Sequence, residues 1–178
     1  TDGAALLSGG KVVEAGEYEL LNKKYPHATI KGNGEQLLMP GLVDGHSHGW
    51  GLTLTQRGIS LDFLENGLID WAFMLGLDPE LESMMSAVRH LRNGCTTRHH
   101  NNWGEEPNLL ANAEKIIKGS QEVGIRLAYS PGGRDINRLA LDDTGFFETL
   151  PPDLQEFARP MVYYDKKAFV DAYLDLFE

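Results

Sequence analysis

Two histidines separated by a single residue are the feature of this sequence best suited to chemistry. His46 and His48 lie near the end of the segment LLMPGLVDGHSHG, residues 37–49, which opens with apolar residues. Because alternate side chains of a β-strand point to the same face, we expect both imidazole rings to converge on one point. Imidazole is a common ligand of zinc and iron, so the spacing predicts a metal site. Gly45 and Gly49 leave room there for a turn and for a bound ligand.

The surrounding residues resemble a known protein family. The run PGLVDGHSH, residues 40–48, is similar to the first barrel strand of the amidohydrolase superfamily, which is usually written PG(L/F)(V/I)(D/N)xHxH. The resemblance implies an α/β fold, namely a (β/α)8 barrel of the TIM type, in which His46 and His48 bind a catalytic divalent metal at the C-terminal mouth. Zinc is the expected ion and iron the alternative.

The resemblance also implies residues that this sequence does not supply. In the family, two further His and an Asp on later strands complete the metal site, and a Glu next to one of those His transfers protons. No counterpart of these residues precedes Glu178. We therefore expect the catalytic residues beyond Glu178, and we expect residues 1–178 alone to bind metal poorly and to be inactive.

The elements that must position the histidines follow an alternating order. Residues 1–40 hold short strand-like runs divided by glycines, which predicts part of a small β-sandwich domain, with a strand over 28–31 and a strand or helical turn over 17–21. Residues 41–178 alternate β-α-β-α-β, which predicts a parallel sheet and the first three β/α units of the barrel. A complete barrel needs roughly 250 residues, so we expect the chain to be truncated.

Local signals mark where helices and strands begin and end. Asp78, followed by Pro, predicts a helix start, and Gly94 predicts the end of that helix. The run GCTT that starts at Gly94, and the run GIR at residues 124–126, resemble the second and third barrel strands of the family. Residues 135–160 are Pro-rich and predict an irregular lid or substrate loop. Asp165 predicts the cap of a last helix.

Polar and aromatic residues after the first strand are candidates for contact with a substrate. In the family this first loop overhangs the active site. Trp50 can stack on an aromatic substrate or pack in the core. Gln56 and Arg57 can hydrogen-bond a polar heterocycle or face solvent. Both interpretations stay open from the sequence.

The end of the second strand carries another pair of histidines. His99 and His100 point to opposite faces of a strand, so at most one of them faces the metal mouth. The family's second strand commonly ends in DH or DHH, whereas no Asp precedes the pair here and Arg98 takes a position that is usually small or apolar. We assign neither histidine to the metal. His100, Asn101 and Asn102 are candidates for substrate contact or for support of the site, with a purely structural role as the alternative.

Composition excludes several classes of function. The 178 residues carry a formal net charge of -10, and no basic patch of the kind that binds nucleic acid stands out. No apolar run is long enough for a membrane span, and the first residues lack a secretory signal pattern. The single Cys95 fits a reducing compartment, so we expect a cytoplasmic protein.

The order and spacing of these motifs are most similar to the deaminase and chlorohydrolase branch of the superfamily. The resemblance implies a hydrolase that cleaves non-peptide C–N bonds of a nitrogen heterocycle by metal-activated hydroxide. It also implies a homo-oligomer of the full-length protein. Cyclic-amide hydrolysis of the dihydroorotase or imidazolonepropionase kind is one alternative. A non-catalytic interaction protein that kept the barrel is a second, and a free-standing α/β binding module is a third.

Overall fold

A computed structural model describes residues 2–72, 74–103, 108–133 and 138–177. Contacts within the chain divide it into two compact units, Thr1–Pro40 and Gly41–Glu178. Within the described ranges, no helix combines the length and the apolar character that a membrane span requires.

The first unit is built on a β-hairpin. Strand β1 (Gly3–Ser8) pairs antiparallel with β2 (Lys11–Glu17). Gly9 and Gly10 form the turn with φ angles of 56° and 74°, a conformation that glycine adopts without steric cost. Helix α1 (Tyr18–Lys24) follows directly after β2. Of the strand and the helical turn that the sequence allowed over residues 17–21, the structure therefore has the helix.

The strand predicted over residues 28–31 is not formed, and this prediction was wrong. These residues are exposed and carry neither helix nor strand. A short β-branched run becomes a strand only where a partner strand takes up its hydrogen bonds. The two hairpin strands pair with each other, and residues 28–31 pair with neither of them. The larger β-sandwich stays a prediction.

The second unit is organised around a parallel sheet of three strands. Strands β3 (Leu42–Ser47), β4 (Cys95–Trp103) and β5 (Arg126–Gly132) are neighbours in that order. Both strand pairs are parallel, so the carboxyl ends of the strands meet at one edge of the sheet. The predicted alternation of strands and helices in an α/β chain is therefore confirmed, while closure into a barrel stays a prediction.

Three helices connect these strands, and their ends follow the predicted signals. Helices α2 (Leu64–Ala72) and α3 (Pro79–Arg92) precede β4, and α4 (Leu109–Val123) precedes β5. The Asp78 carboxylate caps α3 by accepting the backbone N–H groups of the second and third helical residues at 3.0 and 3.2 Å. Gly94 after α3 has a φ of 82°, which favours glycine and ends the helix.

Helices α3 and α4 pack closely against each other because small residues lie between them. A Cβ atom added at Gly119 of α4 would lie 2.5 Å from the backbone oxygen of Glu80 on α3. Ser83 on α3 is fully buried, and its hydroxyl donates to the backbone oxygen of Ile116 at 2.8 Å. This close contact brings two buried serine hydroxyls, those of Ser83 and Ser120, within 3.0 Å of each other.

Strand β4 presents different chemistry to its two faces. Arg98 faces α3 and α4, is fully buried, and donates through Nη2 to Ser83 Oγ at 2.8 Å and Ser120 Oγ at 2.9 Å. Burial lowers the pKa of the Arg98 guanidinium to about 10, against the opposing attraction of Asp44. We call this side of the sheet the helix face. The opposite side, which carries His99 and Asn101, is the histidine face.

The last part of the chain is helical where the sequence predicted an irregular loop. Residues 134–137 lie outside the described part of the chain. After them come α5 (Asp143–Thr149), α6 (Pro152–Val162) and α7 (Lys166–Asp175). Leu139, Phe147 of α5 and Ala158 of α6 form a buried cluster, and this packing outweighs the local helix-breaking effect of proline. The predicted cap at Asp165 is confirmed, because its carboxylate accepts the Lys167 and Ala168 N–H groups.

Candidate metal centre

The two histidines of the H-x-H motif lie together at the carboxyl end of β3. His46 belongs to the strand, and His48 follows one residue after the strand ends. Their ring centroids are 5.1 Å apart, and the ring planes are inclined by 86°. Both residues are exposed, so an ion has access to the pair. The convergence expected from the spacing is present, and the role of the pair as metal ligands stays a prediction.

Asn101, on the histidine face of β4, contacts both rings. Its side-chain amide lies 2.9 Å from His46 Nδ1. Its backbone oxygen lies 3.0 Å from His48 Nδ1. A carbonyl oxygen only accepts hydrogen bonds, so His48 Nδ1 carries the proton and His48 Nε2 keeps its lone pair. The parallel pairing of β3 with β4 brings Asn101 to this place.

A further layer of hydrogen bonds lies behind Asn101. Its amide contacts Ser130 Oγ on β5 at 2.8 Å, and the same hydroxyl lies 2.8 Å from His99 Nε2. His99 Nδ1 donates to the backbone oxygen of Gly45 at 3.2 Å. All three strands of the sheet therefore contribute to one network that ends on the His46 ring.

Asp44 ties the backbone of the motif to helix α3. Its Oδ1 accepts the backbone N–H of His46 at 3.1 Å, and its Oδ2 lies 2.8 Å from His90 Nε2. His90 Nδ1 donates to the backbone oxygen of Ser86 at 2.7 Å, which fixes that ring on the helix. Burial raises the pKa of Asp44, but the hydrogen bonds from His90 and the His46 N–H outweigh it and hold the pKa below its usual value.

The donor set of the pair fits a divalent cation such as zinc, as one part of a site. His48 offers Nε2, the lone pair that zinc takes from an imidazole whose Nδ1–H is held by a carbonyl oxygen. Within the described part of the chain, no group of three or more His, Cys, Asp or Glu side chains is placed to hold a metal ion. Zinc takes three or four protein ligands, so His46 and His48 by themselves would not complete a site.

Trp50 is placed beside His48. Its ring centroid lies 5.6 Å from that of His48 and 5.5 Å from that of Trp71. The Arg57 guanidinium lies 5.9 Å from the same ring, within the range of cation–π attraction. Trp50 is half-buried, so part of its surface is packed and part is accessible.

Gln56 and Arg57 are held by hydrogen bonds and an ion pair inside the second unit. They lie in a single turn of 3-10 helix, Thr55–Arg57. Gln56 Oε1 accepts the backbone N–H of Thr53 at 2.9 Å. Arg57 is buried, forms an ion pair with Glu82, and has its pKa lowered by burial. The structure thus places the Arg57 charge against α3, and contact of either residue with a substrate stays a prediction.

His100 and Asn102 lie on the helix face, away from His99 and Asn101. His100 is 3% exposed, and burial, together with nearby Arg98, lowers its pKa to about 3, so the ring is neutral at pH 7. A cavity of about 90 Å³ adjoins the ring. Its lining includes His48, Trp50, Glu82, His100, Asn102 and Asn112. Substrate contact by His100 and Asn102 stays a prediction.

The sequence interpretation missed two residues of the hydrogen-bond network that ends on the His46 ring. Asn101 was a candidate for a supporting or substrate-contacting role, but His99 and Ser130 were not, although Asn101 and His99 have the same strand parity. The alternation of side chains along a strand shows that two residues share a face, but it does not show which face of β4 meets His46. Identifying that face requires the pairing of β4 with β3, which the structure shows.

Comparison with known proteins gives distant relatives of two kinds. The chain is 26% identical over 143 residues to a 5-methylthioadenosine/S-adenosylhomocysteine deaminase of Thermodesulfovibrio yellowstonii, covering 75% of the chain and 30% of the relative. It is 30% identical over 104 residues to the protein of that name from Nitratidesulfovibrio vulgaris, covering 53% and 22%. It is 38% identical over 47 residues to an imidazolonepropionase of Pyrobaculum arsenaticum, covering 26% and 12%.

The chain therefore spans less than a third of the length of these curated relatives. No family model matches the chain. No solved structure matches it with significance. Both kinds of relative belong to the amidohydrolase superfamily, and at low identity they support that superfamily for this chain.

Proposed function

We propose that this chain belongs to a metal-dependent hydrolase that acts on non-peptide C–N bonds, in the manner of a deaminase. The observation that carries the proposal is the convergence of the His46 and His48 rings, 5.1 Å apart, at the carboxyl end of a parallel strand. Catalytic groups of parallel α/β folds lie at that end of the strands. The names of two relatives, both deaminases, support deamination as the reaction class.

The residues of this chain would hold the ion and fix its surroundings. His46 and His48 would bind a divalent cation, zinc first and iron as the alternative, each through Nε2. Such a cation supplies a Lewis acid, which lowers the pKa of water from 15.7 to about 7. The Asn101 carbonyl holds the His48 ring in the tautomer that can bind. Asp44 holds the backbone of His46 against α3.

The proposed substrate is a nitrogen heterocycle. Trp50 provides an aromatic surface next to His48, and a planar ring stacked on it would bring its carbon atoms toward the metal pair. Of the candidates from the sequence, Trp50 has the geometry that best supports contact. Gln56 and Arg57 are engaged with Thr53 and Glu82, so their support is weaker.

Cyclic-amide hydrolysis is the second candidate, and one observation favours it. The segment that matches the imidazolonepropionase has 38% identity, higher than the identity to the deaminases. The match to the deaminases covers 75% of the chain instead of 26%, so we rank deamination first. The two reactions differ in products, because deamination releases ammonia and opening of a cyclic amide does not.

The metal role is tested by measuring metal content in the intact protein that carries this chain. We expect about one metal ion per protein in the wild type and a loss of about tenfold or more in the His46→Ala/His48→Ala double variant. His27→Ala is the matched control, since His27 is an exposed histidine of the first unit. Equal metal content in the wild type and the double variant would rule out the proposal.

The reaction class is tested with the metal-loaded intact protein. Ammonia release is measured with 5-methylthioadenosine and S-adenosylhomocysteine, and ring opening is followed by absorbance with a cyclic amide. Ammonia release that depends on the two histidines supports deamination. Ring opening without ammonia release would reject deamination in favour of cyclic-amide hydrolysis. Metal binding without either reaction favours the non-catalytic interaction protein.

A further inference from the structure

We infer that Asn101 is the positioning residue that sets the tautomers of both metal-pair histidines, and that Ser130 and His99 fix the orientation of its amide. This inference rests on the proposed metal function and deepens it. Asn101 lies between the two rings and contacts Nδ1 of each, at 2.9 Å for His46 and 3.0 Å for His48. The side-chain amide of Asn101 serves His46, and its backbone oxygen serves His48.

The His48 tautomer follows directly from the backbone of Asn101. The backbone oxygen of Asn101 only accepts, so His48 Nδ1–H must donate to it. A neutral imidazole with a proton on Nδ1 has its lone pair on Nε2, on the opposite side of the ring. Because this contact uses the backbone, substitution of the Asn101 side chain leaves it in place.

The His46 tautomer depends on which end of the Asn101 amide faces it. In the structure, Nδ2 faces His46 Nδ1, and Oδ1 accepts from Ser130 Oγ at 2.8 Å. The two ends of an amide have almost the same shape, so a rotation of 180° keeps both contacts and reverses their directions. When Nδ2 faces the ring, His46 Nδ1 accepts the hydrogen bond. The proton of a neutral His46 ring then lies on Nε2, where it prevents that nitrogen from binding a metal ion.

The residues behind the amide select the rotated orientation. His99 Nδ1 faces the backbone oxygen of Gly45 and must donate to it, so a neutral His99 accepts at Nε2 from the Ser130 hydroxyl. Ser130 Oγ then accepts from the Asn101 Nδ2, and Oδ1 turns toward His46. Every hydrogen bond in this arrangement has one donor and one acceptor. With the unrotated amide, the Ser130 hydroxyl proton points to Asn101 Oδ1, and the contact between His99 Nε2 and Ser130 Oγ has a donor only if His99 carries a second ring proton.

In the rotated arrangement both histidines present Nε2 lone pairs. His46 Nδ1–H donates to Asn101 Oδ1, and His48 Nδ1–H donates to the Asn101 backbone oxygen. Hydrogen bonds of this kind fix the ring orientation of metal-binding histidines and raise the basicity of the ligating nitrogen. Hydrogen bonds from three strands of the sheet thus fix the His46 and His48 rings in a metal-binding tautomer before an ion binds.

The tautomer of His46 in the metal-free protein is the direct test, and it requires no metal. Long-range nitrogen–proton NMR spectra distinguish Nδ1–H from Nε2–H rings. We expect the Nδ1–H form for His46 in the wild type and in Asn101→Asp, whose carboxylate keeps an acceptor at that position. We expect a shift toward Nε2–H in Asn101→Ala. An Nε2–H ring in the wild type, or no difference between wild type and Asn101→Ala, would overturn the inference.

Zinc affinity, measured by calorimetry on the same proteins, gives a second readout. Loss of the amide is expected to weaken zinc binding by about tenfold in Asn101→Ala, with Asn101→Asp close to wild type. Asn66→Ala, which removes an exposed amide on α2, is the matched control and should leave both readouts unchanged. If Asn101→Ala does not fold, Ser130→Ala replaces it and should shift the His46 tautomer in the same direction. A wild type that binds no zinc but shows the Nδ1–H tautomer rejects the proposed function and keeps the positioning role.

Discussion

At the scale of the residue, the two glycines that flank the H-x-H motif have different roles. Gly45 has open space around its Cα, and an added Cβ would meet no atom within 4 Å. Gly49 has a φ of 64°, and an added Cβ would lie 2.1 Å from Cε1 of His100. Glycine at position 49 is therefore required for two reasons, backbone conformation and contact with a buried ring.

This contrast predicts that Gly49→Ala destabilises the protein and that Gly45→Ala does not. Left-handed backbone costs a non-glycine residue about 1 kcal/mol, and crowding against a buried side chain adds about 1–3 kcal/mol. We expect a loss of about 2–4 kcal/mol in the free energy of unfolding for Gly49→Ala, measured by urea denaturation. For Gly45→Ala the change should stay within about 0.5 kcal/mol, as for other surface substitutions. Equal losses of unfolding free energy in the two variants would contradict the conclusion that glycine is required at position 49 and not at position 45.

At the scale of the element, the contact between α3, α4 and β4 is centred on a buried cation. Arg98 is 0% exposed and donates to the hydroxyls of Ser83 and Ser120. A buried charge is tolerated only when hydrogen bonds replace the water that it has lost. The serines therefore have a role that depends on Arg98, and this dependence can be measured.

A double-mutant cycle tests that dependence. Ser83→Ala removes one acceptor from a buried guanidinium, and we expect it to lower the free energy of unfolding by about 1–3 kcal/mol. In the background of Arg98→Met, which replaces the cation with an apolar side chain of similar length, the same change should cost clearly less. Unfolding by urea measures all four proteins. Additive effects would show that the serine acts independently of the arginine.

At the scale of the whole molecule, the chain changes character at the boundary between its two units. Residues 26–41 are all exposed and carry neither helix nor strand. The boundary between the compact units, after Pro40, falls at the end of this segment. Proteases need an accessible stretch of extended backbone, and connecting segments of this kind supply it.

Limited proteolysis follows from this organisation. We expect trypsin to cut after Lys31 before it cuts after Arg92 or Lys118, which lie in α3 and α4. Mass spectrometry of the products over time identifies the order of cuts. Lys31→Gln removes the site and should delay the first cut without changing the later ones. An earlier cut within α3 or α4 would show that the second unit opens more readily than its packing indicates.

Several features were determined by the sequence alone because they depend on neighbours along the chain. The spacing of His46 and His48, the cap at Asp78 and the glycine after α3 act over a few residues, and the structure contains each of them. The same local reasoning failed for residues 28–31 and for the helices α5 and α6. There, the presence or absence of a packing partner decided the outcome.

Only the tertiary structure decided which residues support His46 and His48. Asn101 and Ser130 are 55 and 84 residues from His46 in the sequence (101 minus 46, 130 minus 46), and their meeting depends on the register of three parallel strands. Arg98 likewise became a buried cation because two serines from different helices meet it. Register is fixed by packing of the whole sheet against its helices, and a strand shifted by one residue would turn each of these side chains to the opposite face.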